Sequence, residues 1–149
     1  MIEGVIVKKL QKFEDERGWL METHRDDEQE SRPAMSYFSK TLQGVVRGPH
    51  EHETQSDQFV FTGPGNFEFH LWDNREGSKT YGQHEVMEVG ENNPTSIFVP
   101  PGVVHGYKCL SEEGYDLNLP DKLYKGEGKK DEVDEIRHEN DDNSPFRIE

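Results

Sequence analysis

Apolar and polar positions alternate at short intervals along most of the chain, the period-two pattern of half-buried β-strands. Strands are predicted over residues 2–10, 19–23, 35–41, 59–62, 67–72, 84–89, 96–99, 103–110 and 115–119. Gly, Pro and Asn separate them. Asp15-Glu16-Arg17-Gly18 reads as a turn, Gly63-Pro64-Gly65-Asn66 as a hairpin turn between two strands, and Pro100-Pro101-Gly102 as a corner. Residues 26–32 read as a polar loop or helical turn. No helical period persists until the charged tail after Lys125, where a short helix over 133–138 is predicted. The pattern predicts one all-β domain over residues 1–149, an antiparallel sandwich or barrel with a short helical or irregular C-terminal segment.

Composition narrows this. The chain has 149 residues, of which 30% are hydrophobic, and a mean hydropathy of -1.01. A core that economical suits a β-fold that gains buried area by dimerising. The net charge of -14 argues against nucleic acid as a partner, since a phosphate backbone needs a basic face. A few arginines in a cleft can still attract a small anion, and the acidity itself reads as a solubility device suited to saline surroundings. Cys109 is the single cysteine, expected as a buried inert thiol, so no internal disulfide forms. The N-terminal residues hold no apolar run long enough for a leader or a membrane span, and the cytoplasm is the expected compartment.

The chemistry gathers where two strands end. Val45 and Val46 lead into Arg47-Gly48-Pro49-His50-Glu51-His52, and Pro100-Pro101-Gly102 leads into Val103-Val104-His105. His50 and His52, two apart, share one face of a strand. His105 comes from another strand. Such a gathering of imidazoles serves either a metal or proton transfer.

The spacing resembles the two sequence motifs of the cupin superfamily. Gly44, His50 and His52 fit the first, and Pro100, Gly102 and His105 the second. That resemblance implies a double-stranded β-helix, or jelly roll. Metal-binding cupins place a carboxylate soon after the second histidine, and Asp57 stands near that position. His50, His52, Asp57 and His105 would then hold one divalent transition metal. The same His-x-His also occurs in metal-free cupins that move protons, which need no cofactor.

A closer resemblance is to the dTDP-4-dehydrorhamnose 3,5-epimerase family. It rests on DERGWLME near the N-terminus, VVRGPH, LWDNREGSKTYG, FVPPGVVHGY and the acidic segment DEIRHENDD, in that order. It implies proton abstraction beside the ketone of a 4-keto-6-deoxy sugar joined to a nucleoside diphosphate, a homodimer, and a place in deoxysugar synthesis. Such chemistry needs a base of near-neutral pKa, a donor or cation at the oxyanion, and an acid on the far face. On this resemblance His50 is the base, oriented by Asp141 or secondarily Asp142. Arg47 binds sugar or phosphate, and His105 lines the barrel. Arg17 and Glu22 correspond to nucleotide-contacting positions supplied by the neighbouring subunit.

Two departures stand out. The family's far-face acid is a tyrosine, but aligning on Tyr124 puts Asn118 there, and an amide is no acid. Tyr115, three residues away, should point outward; Tyr107, Tyr81 or a water are other donors. The family also has a lysine that steadies the oxyanion on the strand after the first histidine, and Gln58 is its expected equivalent here. His52, where the family commonly has glutamine, is either a compensating electrophile or a metal ligand. Three outcomes remain open: an epimerase, a 3,4-ketoisomerase whose His-x-His resembles RGPHEH, or a cupin that binds a metal or only a sugar.

Overall fold

The structure is a computed structural model that describes residues 1–28 and 31–149. Among the described residues twelve strands form in chain order: β1 (Ile6–Lys9), β2 (Phe13–Asp15), β3 (Gly18–Leu20), β4 (Tyr37–Leu42), β5 (Val46–Glu51), β6 (Asp57–Phe61), β7 (Asn66–Asp73), β8 (His84–Gly90), β9 (Thr95–Val99), β10 (Val103–Cys109), β11 (Glu113–Asn118) and β12 (Ile136–Arg137). Ten of them build two five-stranded antiparallel sheets, ordered β1-β9-β6-β11-β4 and β12-β5-β10-β7-β8. Together they make the double-stranded jelly roll of the cupins. β2 and β3 pair only with each other as a small hairpin.

The alternation explains the core. Phe59 and Phe61 from β6 meet Phe67, Phe69 and Leu71 from β7 and Tyr107 from β10, all buried. The Phe61 and Phe67 rings lie 5.0 Å apart, and Phe59 and Phe69 5.3 Å. These aromatics plug one end of the sandwich. Along β6 the same inward face runs from Phe61 through Phe59 to Asp57, so polarity rises toward the other end. That open end carries the histidines. Cys109 is buried as an unpaired thiol.

Two expectations of local structure are corrected. The segment Gly63-Pro64-Gly65-Asn66 does not close a hairpin. β6 and β7 belong to different sheets, and the turn carries the chain across the sandwich. Both flanking strands are largely buried, and their phenylalanines meet across the core between the two sheets. Gly65 has φ of +90°, and a side chain there would strike the carbonyl of Glu113. The predicted helix over 133–138 is also absent. Ile136 and Arg137 instead pair with Glu51 and His50 as β12, followed by a short 3-10 turn over His138–Asn140. The open edge of β5 supplies backbone partners that a short, highly charged helix would lack. In the loop 26–32, residues 26–28 form a turn, and residues 29 and 30 lie outside the described residues. Among the described residues no helix is long and apolar enough to cross a membrane.

Candidate active site

β5 positions the first motif against the second. His50 is in direct register with His105 on β10, but Arg47 is in register with Tyr107, so β5 spends one more residue than β10 over this stretch. That β-bulge matters. Without it, positions 47 and 50 would face opposite sides of the sheet; with it, Arg47, His50 and His52 all line the same cleft. Gly48 permits the bulge: its φ is +81°, and a Cβ would lie 2.7 Å from the His105 carbonyl oxygen. Arg47 is steadied by Thr41 Oγ1 at 2.8 Å and the Lys40 carbonyl at 3.0 Å.

The cleft measures about 1600 Å³ and is lined by β4, β5, β6, β10, β11 and the C-terminal tail. At its head, His50, His52, Asp57 and His105 bring one nitrogen or oxygen each within 4.8 Å of one another. His52 Nε2 lies 3.0 Å from Asp57 Oδ2, and its Nδ1 bonds the Asp134 carbonyl. Both ring nitrogens face acceptors, with the Gln55 amide nitrogen also 3.3 Å from Nε2, and this setting favours the imidazolium. Burial opposes that charge, but the hydrogen bond and charge of Asp57 outweigh it and raise the His52 pKa above 6.5. Burial also opposes ionisation of Asp57, yet its two histidine neighbours hold it well below the usual carboxylate range. Gln55 donates to the second Asp57 oxygen at 2.9 Å.

His105 donates from Nδ1 to the Val103 carbonyl at 2.9 Å. Its Nε2 lies 3.4 Å from Asp57 Oδ2 without hydrogen-bond geometry, and remains buried and unpaired. His50 is different again. Burial, then the neighbouring His105 and His52, push its pKa well below 6.5. That shift favours its neutral form, and the carboxylate of Glu135 lies 3.8 Å from its Nε2.

The tail reaches this site through Asp134, whose carboxylate accepts the backbone N–H groups of Glu53, Thr54 and Gln55 at 2.8, 2.9 and 3.0 Å. Buried Glu51 binds His138 and Asn74, both at 2.8 Å. Composition alone presents this segment as solvated charge.

Several expected site residues move. Asp141 is exposed and accepts the Asn143 N–H at 2.9 Å; Glu135, not Asp141, is the carboxylate that faces His50. The reason is β12, which brings 135 alongside β5 and leaves Asp141 and Asp142 as exposed residues of the outer cleft. Gln58 is also displaced. Its amide is spent on His24 at 2.8 Å, the Thr23 carbonyl at 3.0 Å and Ser96 at 2.8 Å, away from the cleft. Asp57 and Phe59 take the inward positions of β6, so the strand presents a carboxylate, not glutamine. Asn118 does line the cleft, its Oδ1 buried and unpaired. Tyr115 points outward onto Phe38, with ring centroids 5.7 Å apart. Arg17 and Glu22 do not reach the cleft of their own chain; Arg17 pairs with Asp15, and Glu22 lies 3.4 Å from Arg25.

Sequence reasoning missed Glu135, Asp134 and a buried pair at the cleft floor, where the Tyr107 hydroxyl donates to Asp116 at 3.0 Å. Burial raises the Asp116 pKa to about 6. The period-two spacing of Asp116 and Asn118 was the available signal.

A jelly roll with three histidines and convergent carboxylates at its open end has the architecture of a cupin. More narrowly, the family model of dTDP-4-dehydrorhamnose 3,5-epimerase matches residues 1–136, and the chain belongs to that family. It is 43% identical to the "Spore coat polysaccharide biosynthesis protein SpsL" of Bacillus subtilis, over 75% of this chain and 74% of that one. It is 39% identical to the "Probable low-salt glycan biosynthesis epimerase Agl13" of Haloferax volcanii, over 88% of this chain and 86% of the other. Among solved structures, a dTDP sugar isomerase from Desulfovibrio desulfuricans superposes with a TM-score of 0.83 at 25% identity, covering 98% of this chain and 91% of that one. NovW, a 4-keto-6-deoxy sugar epimerase from Streptomyces spheroides, gives 0.75 at 26% identity, over 83% and 66%.

Proposed function

We propose that this protein epimerises a 4-keto-6-deoxy sugar carried on a nucleoside diphosphate, in the synthesis of a surface polysaccharide or glycan. The observation that carries the reading is the unlike setting of two neighbouring histidines: His52 lies between Asp57 and the Asp134 carbonyl, which favours its charged form, and His50 is buried among imidazoles with Glu135 3.8 Å away, which favours its neutral form. His50 removes the proton next to the ketone, and Glu135 steadies the imidazolium that forms. His52, held on Asp57, places positive charge where the oxyanion develops, the task assigned to a lysine in the family pattern. Arg47 at the cleft wall suits a phosphate or sugar hydroxyl. The active unit is a homodimer in which the β2–β3 hairpin, with Arg17, serves the neighbouring cleft. We place it in the cytoplasm; the unpaired Cys109 suits a reducing compartment.

A second reading has its own support. His52 and His105 each anchor Nδ1 on a backbone carbonyl and turn Nε2 toward Asp57, the arrangement that orients metal-bound imidazoles. His50, His52, Asp57 and His105 would hold one divalent transition metal, which would polarise the substrate carbonyl as a Lewis acid.

One experiment separates these. In D2O with a dTDP-linked 4-keto-6-deoxy sugar, the protein should incorporate deuterium at C3 or C5, and His50→Ala should lower the rate at least about 100-fold. No exchange with dTDP-, UDP- or GDP-linked substrates rejects the epimerase, and a shifted carbonyl in the product identifies a ketoisomerase. Elemental analysis of the same preparation should find no stoichiometric metal. About one metal per chain, lost in His52→Ala, supports the second reading.

A further inference from the structure

The active site has a base and a cation, yet the position where the family pattern puts the acid holds Asn118. The sheet register shows what stands beside it. β4 pairs antiparallel with β11, and Tyr37 is the residue directly opposite Asn118. Directly opposed residues project from the same face with Cβ atoms about 4.5–5.5 Å apart. That face is the inner one. Tyr37 lines the cleft with Asn118, while the next residue, Phe38, is 74% exposed and stacks on outward-facing Tyr115. Thr41, on the same face as Tyr37, is buried and bonds Arg47.

We infer that Tyr37 is the far-face acid of this enzyme, its phenol having moved across the strand pair from the position now held by Asn118. The inference rests on the epimerase reading above. His50 stands on β5 in one sheet and Tyr37 on β4 in the facing sheet, so a sugar ring between them meets the base on one face and the phenol on the other.

The other tyrosines are worse placed. Tyr81 is 54% exposed on the outer surface, and Tyr115 points outward. Tyr107 is buried at the cleft floor, its hydroxyl committed to Asp116. Tyr124 lies on the loop after β11, its ring 6.5 Å from that of Tyr37 and edge-on to it. Burial, then the negative charges of Asp57 and Glu135 across the cleft, raise the Tyr37 pKa, so it stays a proton-bearing phenol at neutral pH.

The step balances. His50 takes the proton from carbon; the C–H electron pair becomes the enolate π bond, and the ketone oxygen becomes the oxyanion beside His52. On the return, the enolate π pair bonds the Tyr37 proton from the opposite face, the ketone re-forms, and Tyr37 is left as phenolate. Solvent carries the proton from His50 back to Tyr37, and the net reaction is inversion alone.

The test uses the full chain in D2O with dTDP-4-keto-6-deoxyglucose, following deuterium uptake and configuration separately by NMR. Tyr37→Phe removes only the acid. It should keep uptake within about threefold of wild type while inversion falls about 100-fold, because His50 still abstracts the proton and returns solvent deuterium to the same face. The double variant Tyr37→Phe with Asn118→Tyr should recover at least tenfold of the lost inversion. A Tyr37→Phe enzyme that inverts at the wild-type rate overturns the assignment. So does one that loses uptake together with inversion, or a Tyr124→Phe enzyme that alone uncouples the two. Wild-type protein with no uptake from this sugar or from its UDP- and GDP-linked counterparts removes the epimerase reading, and this assignment with it.

Discussion

Each of the three histidines is defined by what its ring nitrogens meet. His52 is flanked by two acceptors, which raise its pKa; His50 is buried among other imidazoles, which lowers its own. This gives a sign to the pH dependence of kcat/KM in the metal-free epimerase. His50 must be neutral, and its lowered pKa places the acid limb below 6.5. His52 must be charged, and its raised pKa places the alkaline limb above 6.5. The plateau should therefore span 6.5, and His52→Gln should remove the alkaline limb. An acid limb at or above 6.5 would sink the assignment of His50. The shared face of His50 and His52 was legible from their spacing, since side-chain period is local. Their different charges were not, because the deciding partners, Asp134 and Asp57, lie 82 and 5 positions away from His52.

The strands carry the same lesson. Most strands were visible as alternation, though β2 was not and β12 was expected as helix; on β6 both Asp57 and Gln58 were expected at the site, and only Asp57 faces it. A one-residue difference in register exchanges the two faces of a strand, and only the pairing of Asp57 with Val99 and of Gln58 with Phe98 resolves it. The bulge in β5 is likewise a property of two strands together. Its glycine offers a direct test. Gly48→Ala forces a Cβ onto the His105 carbonyl at a positive φ, and should cost at least about 2 kcal/mol, read as a lowered urea midpoint. Activity of the folded fraction should fall as well, because Arg47 and His50 lose their common face. An unchanged midpoint would show that the bulge is not held by this residue.

For the molecule as a whole, the β2–β3 hairpin is a part that its own chain leaves uncovered. All of its residues are exposed, including Phe13, Trp19 and Leu20 at 46%, 49% and 61%. In a chain this hydrophilic, such a cluster is where apolar area remains to be buried. The proposed dimer covers it and brings Arg17 to the neighbouring cleft. Trp19→Asp should then shift sedimentation from dimer to monomer and raise KM for the nucleotide sugar about tenfold, with the fold intact by circular dichroism. A wild-type monomer in sedimentation, or a monomeric variant with unchanged KM, would remove that role from the hairpin.

The acidic tail shows where composition misleads at this scale. Read alone it is solvated charge, but Asp134 is hydrogen-bonded to residues 53–55 and His138 to Glu51, and Glu135 stands 3.8 Å from His50. By itself the sequence determined the all-β class, the cupin spacing of His50, His52 and His105, and the family, because these depend on local period and motif order. Only the tertiary structure decided that Glu135 rather than Asp141 faces the base, that Asp57 rather than Gln58 faces the cleft, and that Tyr37 stands beside Asn118. Those choices follow from strand register and edge pairing, which join residues far apart in sequence and leave no periodic trace along it.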